Sequence, residues 1–177
     1  KLNERTQLSV DANYLRADGS YPFTLKNGTL TSEGKRINSD IKSGQGEINL
    51  FHTFKDESEL NAKAYYYKSE RGLPGAIILY NSASDERLWD ENFFAQARYK
   101  KVFSSKWSLQ AQGKYNYSWN KFEDLGSEYV GGKQTDTNRQ HEYYLSASAL
   151  YRPVSWLTFA LSQDGIINKL HTNGINS

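Results

Sequence analysis

Apolar and polar residues alternate with a period of two over seven stretches of this chain. The clearest stretch runs from Trp107 to Trp119, where aromatic, aliphatic and Gly residues alternate with Ser, Gln, Lys and Asn. Strands have this period because successive side chains point to opposite faces of a sheet, whereas a helix would scatter the apolar residues around its axis. The pattern predicts strands near residues 6–15, 46–55, 59–68, 92–103, 107–120, 142–152 and 156–163.

Two kinds of connection separate the predicted strands. Three have hairpin length, at residues 55–58, 104–106 and 153–155, and three are long and polar, at residues 16–43, 69–91 and 121–141. Because the two kinds alternate, we expect an antiparallel up-and-down sheet with all turns at one end and all long loops at the other. The pair Asn27-Gly28 predicts a small additional hairpin inside the first long loop.

The strand lengths and aromatic positions favour a transmembrane β-barrel over a soluble sheet. Soluble strands cluster at about 5 to 6 residues, and most of the predicted strands are longer. About twelve residues tilted by about 45° cover roughly 28 Å, close to the apolar band of such a barrel. Aromatic residues at the ends of the apolar faces are the candidates for a membrane girdle: Trp107, Trp119, Tyr14, Tyr66, Tyr99, Tyr143 and Tyr151.

The opposite faces are polar without being dominated by charge. They carry Gln, Asn, Ser and Thr, together with Asp11, Lys63, Arg98 and Lys114. We expect these four charged residues to face a lumen or the plug that fills it. A sheet in lipid must close on itself, and an odd number of strands does not complete a bacterial barrel. Together with a first residue that is not Met, this predicts a piece of a larger barrel.

Composition excludes several other classes of protein. Aromatic residues make up 14% of the chain, which excludes a disordered segment, and Cys is absent, which excludes disulfide scaffolds and thiolate metal sites. A net charge of +2 is too balanced for nucleic-acid binding. The three His residues lack metal-ligand spacing, and no nucleophile elbow or phosphate-binding Gly loop is present. We therefore expect no enzyme activity, no metal and no cofactor.

Four segments at the edges of the long loops resemble a known family. They are Tyr21-Pro22-Phe23-Thr24-Leu25, Arg36-Ile37-Asn38-Ser39-Asp40-Ile41, Glu70-Arg71-Gly72-Leu73-Pro74-Gly75, and Arg87-Leu88-Trp89-Asp90-Glu91-Asn92-Phe93-Phe94. With the strand pattern, they resemble the barrel of TonB-dependent outer-membrane receptors of the Bacteroidetes type, including vitamin B12 receptor-like members. The resemblance covers most of the chain, which would be about a third of such a receptor.

The resemblance implies a 22-stranded barrel in the outer membrane of a Gram-negative bacterium. It also implies an N-terminal plug, which these residues do not contain, and energy from the inner membrane transmitted by TonB through that plug. The ligand would be scarce and small, such as cobalamin, an iron chelate or an oligosaccharide. The long loops would be extracellular, and their candidate ligand contacts are Arg71, Tyr80, Arg87, Trp89, Tyr129 and Arg139.

Two other functions are compatible with the same strand pattern. The first is a small closed outer-membrane barrel with an adhesin or structural role and one further strand. The second is a soluble β-sheet module whose aromatic rows stack on carbohydrate. The three interpretations differ in which solvent the apolar faces meet, and in whether the sheet closes within this chain.

Overall fold

The computed structural model describes residues 2–77, 84–125 and 129–173, and this part of the chain is all-β. The strands are β1 (Thr6–Ala17), β2 (Pro22–Asn27), β3 (Leu30–Lys35), β4 (Ile41–Thr53), β5 (Glu59–Leu73), β6 (Glu86–Val102), β7 (Trp107–Asp124), β8 (Gln134–Val154) and β9 (Leu157–Thr172). Seven strands form one antiparallel sheet in the order β1-β4-β5-β6-β7-β8-β9, and β2 and β3 form a separate hairpin. The predicted all-β class and seven-stranded up-and-down sheet are confirmed. No sheet closes within the described ranges.

Most strands extend beyond their predicted ends at the side of the long loops. β8 begins at Gln134 and β9 continues to Thr172, although residues up to 141 and after 163 were predicted to lie outside strands. The predicted loops 16–43, 69–91 and 121–141 are therefore too long, and the connections between consecutive strands of the seven-stranded sheet reduce to residues 18–40, 74–85 and 125–133. The extension of β8 is polar on both faces, and in the extension of β9 the adjacent residues Ile166 and Ile167 lie on opposite faces, so neither shows the apolar alternation that would reveal a strand.

The first long segment contains the hairpin that the Asn27-Gly28 pair predicts. Asn27 pairs with Leu30, so the central turn residues are Gly28 and Thr29, with Gly28 at a φ of 61°. The third short turn also lies later than predicted. β8 runs through residues 153 and 154 with a register shift after Tyr151, and Ser155 and Trp156 make the turn.

Cross-strand register aligns the apolar faces of all seven strands on one side of the sheet. Directly opposed residues of antiparallel strands point to the same side. One such row crosses the whole sheet, and its members are Val10, Ile48, Ala64, Ala95, Tyr115, Tyr143 and Ile167. We call this side the apolar face and the other side the polar face. The end with the long segments is the loop end, and the end with the short turns is the turn end.

The apolar face has no second layer packed against it. Among the described residues, no hydrophobic side chain is buried, and Leu145 and Leu161 of the apolar face are 70% and 75% exposed. The accessible surface is 12613 Å², whereas a soluble folded monomer of this mass exposes about 8,800 Å². The sheet is therefore a single layer, and its apolar side chains do not form a water-excluding core within this chain.

Aromatic pairs on the apolar face link neighbouring strands. The Trp107 ring stacks on Tyr151 with centroids 4.3 Å apart, and Tyr115 lies 5.0 Å from Tyr143. Such pairs contribute about 0.5 to 1.5 kcal/mol beyond their buried area. His52 is a polar residue on this face, and its Nδ1 lies 2.9 Å from the Thr6 hydroxyl oxygen. All seven aromatic residues predicted for a girdle lie on the apolar face.

Candidate functional site

The three motif segments around Asp40, Glu70 and Arg87 meet at the loop end of the sheet. Arg87 Nη1 donates to Asp40 Oδ1 at 3.1 Å, and Arg87 Nη2 donates to Asp40 Oδ2 at 3.0 Å and to Glu70 Oε1 at 2.8 Å. The guanidinium thus binds one carboxylate through both nitrogens and a second carboxylate through one, the fork geometry in which Arg binds most strongly. We call Asn38, Asp40, Glu70 and Arg87 the loop-end cluster.

Asn38 connects the same cluster to the segment that follows β5. Its Nδ2 donates to the carbonyl oxygens of Ser84 at 2.6 Å and Glu86 at 2.8 Å, and its Oδ1 accepts from Arg87 Nη1 at 3.2 Å. Its backbone has a φ of 51°, a left-handed conformation that Asn adopts more readily than most residues. Arg36 adds a contact by donating to the Gly75 carbonyl oxygen. The segment after the β2–β3 hairpin is therefore fixed against the backbone of Gly75, Ser84 and Glu86.

Gly72 is required by the close approach of this segment. Its N–H donates to the Asp40 carbonyl oxygen at 2.9 Å, and a Cβ at Gly72 would overlap the Asn38 carbonyl oxygen. Gly72 lies within β5. It contributes space, because only Gly lets the two backbones approach this closely.

Charge in the loop-end cluster keeps Asp40 ionised. Hydrogen bonds from Arg87, reinforced by its positive charge and by that of Lys42, hold the pKa of the Asp40 carboxyl below its usual range, although partial burial opposes the shift. The Arg87 side chain is 27% exposed, and the side chains of Asp40 and Glu70 are 34% and 38% exposed. The three charged side chains are therefore partly shielded from water and paired with one another, which gives them a structural role.

Four of the predicted ligand contacts have partners inside the chain. Arg87 binds Asp40 and Glu70 as described, and Arg71 Nη2 lies 3.3 Å from Asp90 Oδ2. Lys121 Nζ lies 4.5 Å from the centre of the Trp89 ring, and the Tyr129 hydroxyl donates to Asp124 Oδ2 at 2.7 Å. Tyr80 lies outside the described residues. These contacts order the loop end, and ligand binding by the same residues stays a prediction.

Arg139 differs from the other predicted ligand contacts because the sequence predicted a loop at this position, whereas the structure has a strand. It is part of β8, exposed on the apolar face, and its cross-strand partners are Trp119 and His171. The sequence placed Arg139 in a loop because residues 134–141 of β8 are polar on both faces. The structure instead places Arg139 at the border between the apolar rows and the loop end.

The four predicted lumen residues all lie on the polar face. Lys63 Nζ binds Glu47 Oε2 at 2.7 Å, and Lys114 Nζ lies 3.8 Å from Glu142 Oε1. Arg98 lines a pocket of about 380 Å³ together with these two lysines and several amide side chains. Asp11 lies directly opposite Glu47 in the first strand pair. The polar face therefore carries a mixed, hydrogen-bonding lining.

Sequence reasoning did not find the partners of Arg87. Asp40 and Glu70 were part of the motif segments, but no local pattern shows that residues 47 and 17 positions away contact one guanidinium.

No protein-family model matches the chain, and no curated protein matches it significantly. In the part of the chain that the structure describes, no helix is long and apolar enough to cross a membrane, and no three His, Cys, Asp or Glu residues are grouped to hold a metal ion.

Proposed function

We propose that this chain is part of the barrel wall of a TonB-dependent outer-membrane receptor that binds and imports a scarce ligand. The observation that carries the proposal is the apolar face, which is continuous over seven strands and has no covering layer. In a barrel, this face contacts the hydrocarbon of the outer membrane, and the polar face lines the lumen. The full-length barrel would have 22 strands and enclose a plug.

The exposed apolar rows argue for a lipid environment on grounds of free energy. The sheet exposes about 3,800 Å² more total surface, polar and apolar together, than a soluble monomer of its mass. Each Å² of the apolar part that is removed from water contributes about 25 cal/mol. Contiguous exposed apolar patches on soluble monomers rarely exceed about 600 Å². Lipid covers such a face without any further protein layer.

The loop end supplies the order that a ligand-binding surface needs. The loop-end cluster fixes the segment after the β2–β3 hairpin to the segment after β5. The contacts of Arg71, Trp89 and Tyr129 hold further side chains in place at the same end of the sheet. Preorganised segments bind a ligand at a lower entropic cost than mobile ones. On this proposal the barrel wall performs no chemistry. The ligand, whether cobalamin, an iron chelate or an oligosaccharide, is captured at the loop end and passes inward when TonB acts on the plug.

The two alternatives fit these observations less well. A small closed barrel needs its first and last strands to pair, and in the described sheet β1 and β9 lie at opposite ends. A soluble carbohydrate-binding module needs its apolar rows in a core, and none of the described hydrophobic residues is buried.

Single Cys substitutions at alternating positions of β8 test the proposal, because the chain contains no Cys of its own. Ala147→Cys lies on the apolar face, and Ser146→Cys is its matched neighbour on the polar face. In the full-length protein in native outer membranes, a spin label on the Ala147→Cys variant is expected to be relaxed by the lipid-soluble agent oxygen. A label on the Ser146→Cys variant is expected to respond to a water-soluble nickel complex.

Equal access of the nickel complex to both labels would contradict the membrane assignment. Ligand import is tested separately, by uptake of radiolabelled cobalamin, ferric chelate and oligosaccharide in cells with and without TonB. Import that does not depend on TonB would refute the receptor proposal even if the barrel assignment held.

A further inference from the structure

Arg98 is a cation of the polar face whose direct cross-strand neighbours are both neutral. These neighbours are Asn61 of β5 and Gln112 of β7. When the Asn61 amide is oriented so that its nitrogen donates to the Leu60 carbonyl oxygen at 3.2 Å, its oxygen accepts from Arg98 Nη2 at 2.8 Å. The remaining guanidinium N–H groups of Arg98 have no partner in the described part of the chain.

Two further cations flank Arg98 diagonally, and only one of them has a close carboxylate. Lys63 of β5 and Lys114 of β7 each lie two residues beyond a direct partner of Arg98, toward the loop end. Lys63 Nζ binds Glu47 Oε2 at 2.7 Å, whereas Lys114 Nζ lies 3.8 Å from Glu142 Oε1. The three cations and two carboxylates leave one net positive charge at this level of the polar face.

The acidic residues on the turn-end side do not remove this charge. Glu59 lies diagonally beside Arg98 but directly opposite Lys100, which balances it. Asp164 lies in the same row as Arg98 but three strands away, and it accepts from the Tyr144 hydroxyl at 3.0 Å. Within the described residues, Arg98 forms no ion pair with either carboxylate. Arg98 is therefore without a counter-charge of its own.

Arg98, Lys63 and Lys114 line one pocket of about 380 Å³ on the polar face, which we call the polar pocket. Pockets that bind small molecules have volumes of about 300 to 1,000 Å³. Four amide side chains share the lining: Asn49, Asn61, Gln96 and Gln112. Gln96 and Gln112 have no hydrogen-bond partner in the part of the chain that the structure describes. The polar pocket therefore offers positive charge and unused hydrogen-bonding groups in a space large enough for a small molecule.

The residue types of the polar pocket identify the chemistry of that molecule. A guanidinium binds a planar carboxylate through paired hydrogen bonds, and an ammonium adds a point charge. Side-chain amides donate and accept, so they suit hydroxyl groups. Lys63 and Lys114 lie in one row two strands apart, so their backbone positions are about 10 Å apart. A ligand with carboxylates at more than one position fits this spread, whereas a single acidic side chain of the plug would fill only a small part of the pocket.

We propose that the polar pocket binds carboxylate groups of the imported ligand, and that this ligand is a small hydroxylated polycarboxylate. The inference rests on the proposed function, in which the polar face lines the lumen, and narrows its ligand to one that carries free carboxylates. Arg98 contacts a carboxylate directly and determines this specificity, and Lys114 contacts a second one. The amides of Gln96 and Gln112 bind the hydroxyl groups.

Calorimetric titration of the full-length protein in neutral detergent tests the proposal. The probes are citrate, which is a hydroxylated polycarboxylate, its triethyl ester, which has the same skeleton without the charges, and inorganic phosphate. The variants are Arg98→Gln, which removes the charge, and Arg98→Lys, which keeps the charge without the fork. The matched control is Lys100→Gln, which removes the same charge two residues away on the same strand and face but outside the lining of the pocket.

Arg98→Gln is expected to bind citrate about tenfold more weakly than the unaltered protein, because it removes hydrogen bonds to a charged group. Arg98→Lys is expected to lose about threefold, and Lys100→Gln less than about twofold. The proposal is overturned if the unaltered protein does not bind citrate, or if the triethyl ester binds as tightly. Unchanged citrate affinity in Arg98→Gln, or equal losses in Arg98→Gln and Lys100→Gln, would also overturn it. Phosphate binding as tight as that of citrate would do the same, because one compact anion would then satisfy the pocket.

These outcomes are separate from failure of the proposed function. If uptake is independent of TonB while citrate binding depends on Arg98, the receptor proposal fails and the carboxylate site stands. If uptake requires TonB while Arg98→Gln binds citrate normally, the carboxylate site alone is refuted. If a carboxylate of the plug occupies the pocket instead, Arg98→Gln lowers the melting temperature without any ligand and the unaltered protein does not bind citrate, which also refutes the site alone.

Discussion

Replacing Arg87 by Met should release the segment after the β2–β3 hairpin without unfolding the sheet. Arg87 donates four hydrogen bonds, to Asn38, Asp40 and Glu70, and its loss leaves two carboxylates near each other without their hydrogen-bonded counter-charge. Hydrogen bonds to charged groups contribute about 1.5 to 3 kcal/mol when shielded, and exposed ion pairs contribute about 0.2 to 1 kcal/mol. Because the three charged side chains are 27% to 38% exposed, we expect a local loss of about 2 kcal/mol.

Hydrogen exchange of the Gly72 amide measures this loss directly, since that amide donates to the Asp40 carbonyl oxygen. A loss of about 2 kcal/mol corresponds to about thirtyfold faster exchange through local opening. Arg71→Met is the matched control, because Arg71 makes one contact at 3.3 Å and is 42% exposed. It should accelerate exchange at Gly72 by less than about threefold.

The reasoning fails if Gly72 exchanges at the same rate in Arg87→Met as in the unaltered protein. It also fails if the two variants accelerate exchange equally, because the effect would then reflect loss of any loop-end charge. Amides in the centre of β7 serve as an internal reference and should remain protected in both variants.

Three further predictions concern single positions. Gly72→Ala should displace the Asn38 backbone and destabilise the loop end by about 1 to 3 kcal/mol, which lowers the melting temperature. Gly44→Ala is the control, because a Cβ added there makes only ordinary van der Waals contacts, and it should change the melting temperature little. Folding lowers the pKa of the Asp40 carboxyl, so ionised Asp40 stabilises the folded loop end fully at a pH above its unfolded pKa. This stabilisation is lost as the pH falls through the pKa of Asp40 in the folded state. Protease cleavage within residues 18–40 should therefore increase below about pH 4, and Asp40→Asn should cleave readily at neutral pH. Leu145→Arg on the apolar face should cost about 2 to 4 kcal/mol of folding in lipid vesicles, while Ser146→Arg should fold almost normally; equal folding of both would contradict the assigned faces.

Local sequence patterns predicted the central parts of the seven strands, their two faces and two of the three short turns. These features depend on side chains one and two positions apart, and alternation around Trp107 or Tyr143 records them directly. The sequence also indicated the hairpin in the first long segment, because Gly at a two-residue turn has a local cause.

The strand ends, the contacts of Arg87 and the position of Arg139 on the apolar face became visible only in the tertiary structure. The ends of β8 and β9 are set by backbone pairing, which continues in β8 where the side chains are polar on both faces and in β9 where Ile166 and Ile167 are adjacent and break the alternation. The contacts of Arg87 with Asp40 and Glu70, and the diagonal placement of Lys63 and Lys114 beside Arg98, depend on cross-strand register. Register joins residues far apart in the chain, so no pattern within a single strand contains it.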